Sequence, residues 1–183
     1  MDDKNSLRVK AKNIRKSLNM TKVSADLVVK IRQSLLYQKA KHVMIFYPTK
    51  FEVNLLDLLS DDKEFYLPRV QEHDLLVCPY NKKSELKESS FHIFEPTSNP
   101  IKPELLDLVV VPALMADKNG YRLGYGGGFY DRFLKSFQEN FKSIVAIPNE
   151  LFVEKLSIDS FDIPVDVVLQ AWKKGLGFKS LNK

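Results

Sequence analysis

Ten residues past the middle of the chain, RLGYGGGFYD at positions 122–131, are the clearest chemical signal in this sequence. Gly124, Gly126, Gly127 and Gly128 are four of the seven glycines in the chain. Glycine is entropically costly in an ordered segment. Crowding it into one turn therefore points to a geometric need, backbone that approaches a ligand closely or turns with positive φ. The turn leads into a segment of helical apolar spacing. A helix N-terminus offers unpaired N–H groups and partial positive charge, which suits a phosphate. Arg122 adds a guanidinium able to hold two phosphate oxygens. The pattern is neither G-x-x-x-x-G-K-[ST] nor G-x-G-x-x-G, because Phe129 stands where the last glycine of the second would fall. On these residues alone, a flexible turn before a helix is the alternative.

Other residues join this one. Asp131 lies in the first turn of the following helix, where a carboxylate usually just complements the dipole. Beside bound phosphates it would be repelled unless a cation bridged the two, and Mg²⁺ takes carboxylates together with phosphate oxygens. Asp162, in FDIPVD at 161–166, precedes the last apolar run and is a candidate second carboxylate. Lys4 and Arg8 are one helical turn apart, so both can reach one anion. With Lys12 and Arg15 they also read as a solvated cationic stripe. Cys78, the single cysteine, sits in an apolar run and reads as core filler that cannot form an internal disulfide. His42, His73 and His92 share no metal-ligand spacing, and no Ser–His–Asp or Cys–His set is evident.

The elements that must position these residues alternate in type. Residues 4–18 predict a helix with Leu7, Ala11, Ile14 and Leu18 on one face, and Thr21 predicts the N-cap of a second. VMIFY at 43–47 predicts a buried strand, 54–59 a short helix, and 65–67 and 75–78 two more strands. Residues 81–90 predict a surface loop, and the prolines within 95–104 an extended connector. LLDLVVV at 105–111 is the strongest strand signal, being β-branched and closed by Pro112. A helix is predicted over 130–141, with Phe129, Phe133, Phe137 and Phe141 as a core stripe. A strand follows at 143–147, a short helix at 150–156 and a last strand at 165–169, before a basic tail from Lys173. Strands written as continuous apolar runs between helices argue for a mostly parallel sheet covered on both faces.

The chain has 183 residues, suited to one domain, and 28 Lys and Arg against 23 Asp and Glu. That moderate excess favours anionic partners without choosing among them. No stretch approaches the ~20 apolar residues of a membrane span, and the charged N-terminus does not read as a signal peptide. A cytoplasmic, soluble protein is the expectation. A basic nucleic-acid-binding domain is the first rival, but the aromatics fall in apolar runs rather than among Lys and Arg. The second is a sugar-phosphate isomerase, using the glycine turn for a monophosphate.

The segment VVVPALMADKNGYRLGYGGGFYDRFL at 109–134 resembles the signature of the 5-formyltetrahydrofolate cyclo-ligases, also called methenyltetrahydrofolate synthetases. KNSLR at 4–8 resembles the family's K-x-x-L-R. IFY at 45–47 with Glu52-Val53, YLPRV at 66–70, FEP at 94–96 and FDIPVD at 161–166 resemble further family stretches in the same order. The resemblance implies a single-domain three-layer Rossmann-like α/β sandwich with a mostly parallel central sheet. It implies that ATP, Mg²⁺ and 5-formyltetrahydrofolate give 5,10-methenyltetrahydrofolate, ADP and phosphate through a phosphorylated formyl (iminium phosphate) intermediate. The expected protein is a monomer acting on small molecules, with no nucleic acid or membrane partner.

The resemblance also implies roles. Lys4 and Arg8 would touch ATP phosphates, and Lys4 and Arg122 would neutralise the charge that moves in the reaction. Arg122, Leu123, Gly124, Tyr125 and Gly126 would wrap the triphosphate, together with Gly127, Gly128, Phe129 and Tyr130. Tyr125 to Phe129, including Gly126, Gly127 and Gly128, would also face the folate, with Tyr47 and Glu52 contacting it. Asp131 and Asp162 would hold Mg²⁺. Two departures stand beside the expected folate pocket. ALMAD at 113–117 replaces the usual Gly-[LF]-[AG]-Phe-Asp, and Phe129 lacks the hydroxyl of the usual G-Y-Y-D.

Overall fold

The computed structural model describes residues 3–89 and 93–173. The chain opens with three helices: α1 (Lys4–Ser17), α2 (Met20–Gln33) and α3 (Leu35–Lys39). Asp3 caps α1 by accepting from the Asn5 and Ser6 amides. Asn19, not Thr21, caps α2: its side chain accepts from the Lys22 amide, so the helix starts two residues early and encloses Thr21.

Strands β1 (His42–Met44), β2 (Glu64–Gln71) and β3 (Asp74–Pro79) follow. After them come β4 (Leu86–Glu88) and β5 (Phe94–Pro96), an antiparallel pair where the sequence suggested a loop and a connector. The chain continues through β6 (Leu108–Val111), β7 (Met115–Asp117), β8 (Arg122–Leu123) and α4 (Phe129–Phe137). It closes with β9 (Lys142–Ile147), β10 (Phe152–Val153) and β11 (Val167–Gln170).

The main sheet has six strands in the order β11-β9-β6-β1-β2-β3. All its pairings are parallel except that of β2 with β3, a hairpin. Alternation along the strands sorts the core into two halves. Met44, Tyr66, Val109, Val111, Val145 and Ile147 pack with Ala11 of α1 and with Phe133 and Leu134 of α4. Val43, Ile45, Phe65, Leu67, Val110 and Ile144 pack with Leu27 and Ile31 of α2 and Tyr37 of α3. Helices thus cover both faces, which is why the strand runs lack polar residues. The three-layer α/β arrangement read from the sequence is the one observed.

Element ends differ from the sequence expectation for identifiable reasons. The expected helix at 54–59 is a 3₁₀ turn, Leu56–Ser60. At 150–156 there is no α-helix: a 3₁₀ turn, Asn149–Leu151, runs into β10, which pairs with β7. α4 stops at Phe137, yet Phe141 still reaches the core, where its ring stacks on Phe133 at 5.6 Å between centroids. Cys78 is fully buried, as expected of core filler. His92 and most of the basic tail lie outside the described residues.

The sheet order places the site. From β1 the chain passes to its neighbour β2, whereas from β6 it passes through α4 to β9 on the opposite side. Order therefore reverses between β1 and β6, and open α/β sheets form their ligand crevice outside the carboxyl ends of strands at such a point. Phe46 and Tyr47 leave β1 there, and Pro112 leaves β6.

Candidate active site

A pocket of about 400 Å³ opens at this crevice. Phe46, Tyr47 and Glu52 line it from the chain after β1, Val70 and Leu75 from the β2–β3 hairpin, and Phe94 from β5. The glycine turn forms the remaining wall, with Arg122, Gly124 to Phe129, Tyr130 and Asp131 all lining it. Tyr47 meets Phe94 edge to face at 5.4 Å. The pocket thus has an apolar, aromatic side and a glycine-rich side bearing charge.

The turn's conformation explains its composition. Gly126 has φ 107° and Gly128 φ 66°, values that a side chain strongly disfavours. Gly128 is the N-cap of α4 and makes no side-chain cap bond. A Cβ at Gly127 would come within 2.7 Å of the Phe129 ring. Arg8 braces the turn from α1: its Nε donates to the Gly124 carbonyl at 3.0 Å and its Nη1 to Asn5 Oδ1 at 2.7 Å.

Arg122 has a side chain only 4% exposed and is held at both ends of its fork. Nη2 donates to Asp131 Oδ1 at 2.8 Å and Nη1 to the Ile163 carbonyl at 2.5 Å. Ile163 returns its amide to Asp131 Oδ1 at 3.2 Å. One residue earlier, Asp162 Oδ2 accepts from Lys4 Nζ at 2.6 Å and from the Asp159 amide at 2.7 Å. Lys4 also reaches Asp159 at 2.6 Å. Burial alone would push the Lys4 ammonium down, but the two carboxylates hold it above the ordinary lysine range.

On the other wall, Glu52 is 9% exposed and has both carboxylate oxygens engaged. The Thr49 amide donates to Oε2 at 2.8 Å, and the Tyr125 hydroxyl donates to Oε1 at 2.5 Å. Burial, then the nearby Glu52 charge, raises the Tyr125 pKa well above its usual value, so the phenol keeps its proton. The Tyr130 hydroxyl is buried with no hydrogen-bond partner among the described residues, and burial raises its pKa too.

Of the residues singled out in sequence, Tyr47, Glu52, Arg122, Gly124 to Tyr130 and Asp131 come together in one pocket. Arg8 lies behind the glycine turn. Lys4 and Asp162 adjoin it through Ile163 rather than lining the pocket. Leu123 turns its side chain into the core. Ala116, expected beside the folate pocket, is fully buried in that same core, so only Phe129 of the two departures faces the pocket. Sequence reading missed the aromatic and aliphatic wall of Val70, Leu75 and Phe94, which distant strands assemble. Arg15, which the sequence places only in the cationic stripe of α1, is buried against the site.

The chain matches the family model described as the 5-formyltetrahydrofolate cyclo-ligase family over residues 1–171. The 5-formyltetrahydrofolate cyclo-ligase of Haemophilus influenzae is 30% identical over 143 residues, covering 72% of this chain and 76% of that relative. The mouse enzyme of the same name is 30% identical over 168 residues, covering 76% of this chain and 83% of its own. The NMR structure of Aquifex aeolicus 5,10-methenyltetrahydrofolate synthetase has a TM-score of 0.79 at 30% identity, covering 91% of this chain and 89% of that one. The 5,10-methenyltetrahydrofolate synthetase of Mycoplasma pneumoniae shares the fold, with a TM-score of 0.73 at 21% identity over 92% of this chain and 98% of that one. A match running from the first residue through β11, shared with relatives at 30% identity, means that the chain belongs to the 5-formyltetrahydrofolate cyclo-ligase family.

Proposed function

We propose that this chain uses ATP and Mg²⁺ to close 5-formyltetrahydrofolate into 5,10-methenyltetrahydrofolate, releasing ADP and phosphate through a phosphorylated formyl intermediate. The observation that carries this reading is the shared pocket. An uncapped, glycine-lined helix start with buried Arg122 faces an aromatic wall bearing an oriented carboxylate. One wall has the chemistry of a triphosphate site and the other that of a flat, hydrogen-bonding heterocycle.

A formamide oxygen is a poor leaving group. In the first step that oxygen attacks the γ-phosphorus and the bond to the ADP oxygen breaks. The formyl carbon becomes part of an N5-iminium phosphate. N10 then attacks that carbon, loses its proton, and the carbon–oxygen bond breaks with departure of phosphate. Neither step demands a strong base. Both depend on in-line positioning and on neutralising charge. Arg122 and Lys4 supply the positive charge, Arg8 holds the turn, and the α4 N-terminus presents its dipole. Tyr47, Phe94 and Phe129 offer faces for ring stacking, and Glu52 accepts from the N–H edge of the pterin.

Asp131 suits a divalent cation. Asp131 lines the pocket; its Oδ1 is committed to Arg122 and the Ile163 amide, while Oδ2 has no hydrogen-bond partner among the described residues. Asp162 Oδ1 is the second candidate ligand. When bound, Mg²⁺ would neutralise phosphate charge beside these carboxylates.

The test is direct. Protein is mixed with ATP, Mg²⁺ and 5-formyltetrahydrofolate, and the absorbance of the methenyl product is followed. A rise that requires ATP is expected, and no ATP-dependent rise would defeat the proposal.

A further inference from the structure

Arg15, near the end of α1, has no part in the chemistry above, yet it is only 3% exposed. A buried guanidinium costs several kcal/mol unless compensated. Its partners among the described residues are two. Nη1 donates to the Tyr125 hydroxyl at 3.1 Å, Nη2 donates to the Ala113 carbonyl, and Nε is buried with none. Neither partner carries a charge. The balance lies one bond further on: the Tyr125 hydroxyl donates its one hydrogen bond to Glu52 Oε1 at 2.5 Å. Glu52 is therefore the negative charge that answers Arg15, reached through a phenol that accepts from one and donates to the other. The proton order is unambiguous, since guanidinium only donates and a carboxylate only accepts.

We propose that Arg15 is a positioning residue for the folate half of the site, holding the Glu52 carboxylate, through the Tyr125 hydroxyl, in the orientation that receives the pterin edge. The inference rests on the function proposed above, which gives Glu52 the pterin. With Arg15 in place the phenol has one donor behind it and one acceptor ahead, so its rotation is set. Glu52 is then pinned from two sides, by Tyr125 and by the Thr49 amide. Without Arg15 the phenol can turn away, and a carboxylate that is 9% exposed loses its compensating charge. Lys4, Arg8 and Arg15 also fall within about 40° of one another around α1, at about 100° per residue. One helix face thus serves the nucleotide side with its first two cations and the folate side with its third.

The competing account is that Arg15 only fastens α1 to the chain after β6 through Ala113. Steady-state kinetics on Arg15→Met, Arg15→Lys, Tyr125→Phe and the Arg15→Met/Tyr125→Phe double variant separates the two. Loss of a charge-assisted bond predicts a KM for 5-formyltetrahydrofolate raised on the order of tenfold in Arg15→Met. The KM for ATP and kcat should stay within about twofold. Arg15→Lys, which retains the cation, should recover part of the folate affinity. Once Tyr125 has lost its hydroxyl, adding Arg15→Met should raise the folate KM no further.

An unchanged folate KM in Arg15→Met would overturn the proposal, as would effects that simply add in the double variant. If Arg15→Met does not fold, Arg15→Lys takes its place in the same cycle and the same additivity overturns the idea. Failure of the underlying reading looks different: the unaltered chain would then form no methenyl product with ATP. An active chain whose folate KM ignores Arg15 refutes only the positioning role.

Discussion

At the scale of single residues, the site is built from pairs of opposite charge placed before any ligand arrives. Arg122 holds Asp131 and Lys4 holds Asp162, so two of the three candidate phosphate cations are matched with a candidate metal carboxylate, while Arg8 holds the Gly124 carbonyl. This keeps partly buried charges compensated in the free protein, and under the proposed function they would exchange partners when Mg-ATP binds. Asp131→Ala is expected to lose most activity, at least about a hundredfold in kcat/KM, as an electrostatic contributor to phosphoryl transfer does. Circular dichroism should still show a folded protein. Normal turnover at saturating Mg²⁺ would rule out the metal role. Lys4→Ala should act chiefly on the nucleotide, raising the KM for ATP several-fold. A change confined to the folate KM would contradict that assignment.

At the scale of elements, the β7–β8 hairpin delivers Arg122 to the site. Its turn is tightly constrained. Gly120 has φ 85°, and a Cβ there would stand 2.4 Å from the Val165 carbonyl oxygen, a backbone atom with little freedom to move. The Val165 amide donates to the Gly120 carbonyl at 2.9 Å, which ties the hairpin to the chain entering β11. Asp117 fastens the same corner by accepting from the Asn119, Tyr121 and Leu156 amides. Gly120→Ala is therefore expected to destabilise the fold by about 2 kcal/mol or more, from positive-φ strain plus the clash. Urea denaturation measures this directly, and a midpoint equal to that of the unaltered chain would show that the corner relaxes. The glycine turn is a different case. The atom nearest an added Cβ at Gly128 is the far end of the Arg132 side chain, at 2.7 Å, which can swing aside. A substitution there keeps the positive-φ strain, roughly 1 kcal/mol, but escapes a backbone clash, so it should cost less stability than Gly120→Ala while also lowering nucleotide affinity.

At the scale of the whole molecule, carboxylates tie distant segments together: Asp166 joins the chain entering β11 to the start of β9, and Asp61 joins the chain before β2 to α2 and α3. Burial pushes the Asp166 carboxyl up, but the Ser143 hydroxyl and amide and the Lys142 ammonium pull it below the ordinary range. Asp61 behaves alike: burial is outweighed by Arg32 and the Tyr37 hydroxyl. A carboxyl lowered in the folded state binds protons more weakly there than in the unfolded chain. Its stabilisation is present above the unfolded value of about 3.9 and is lost as pH falls through the lower folded value. The urea midpoint is thus expected to fall as pH drops from about 5 towards 3, and the fall should shrink in Asp166→Asn. An Asp166→Asn protein with the full acid dependence would remove this tie from the account.

How much could be read from the chain alone divides along a physical line. Local and periodic features were legible. The apolar strand runs, the helix stripes and the glycine cluster each express a constraint within a few residues, and the three-layer α/β fold followed from them. The glycine-rich wall of the pocket was legible for the same reason, since seven of its residues are contiguous from Gly124 to Tyr130. Caps and short elements were less so: Asn19 displaced Thr21, and β10 replaced an expected helix because pairing with β7 outweighed local preference. Long-range company was invisible. Nothing near Arg15 announces a bond to Tyr125, 110 positions away, and nothing near Glu52 announces one 73 positions away. The sequence by itself determined the layers and the glycine turn at the start of α4. Only the tertiary structure decided which charges face one another and what forms the apolar wall. Those depend on where strand order reverses between β1 and β6, which brings together segments with no local reason to meet.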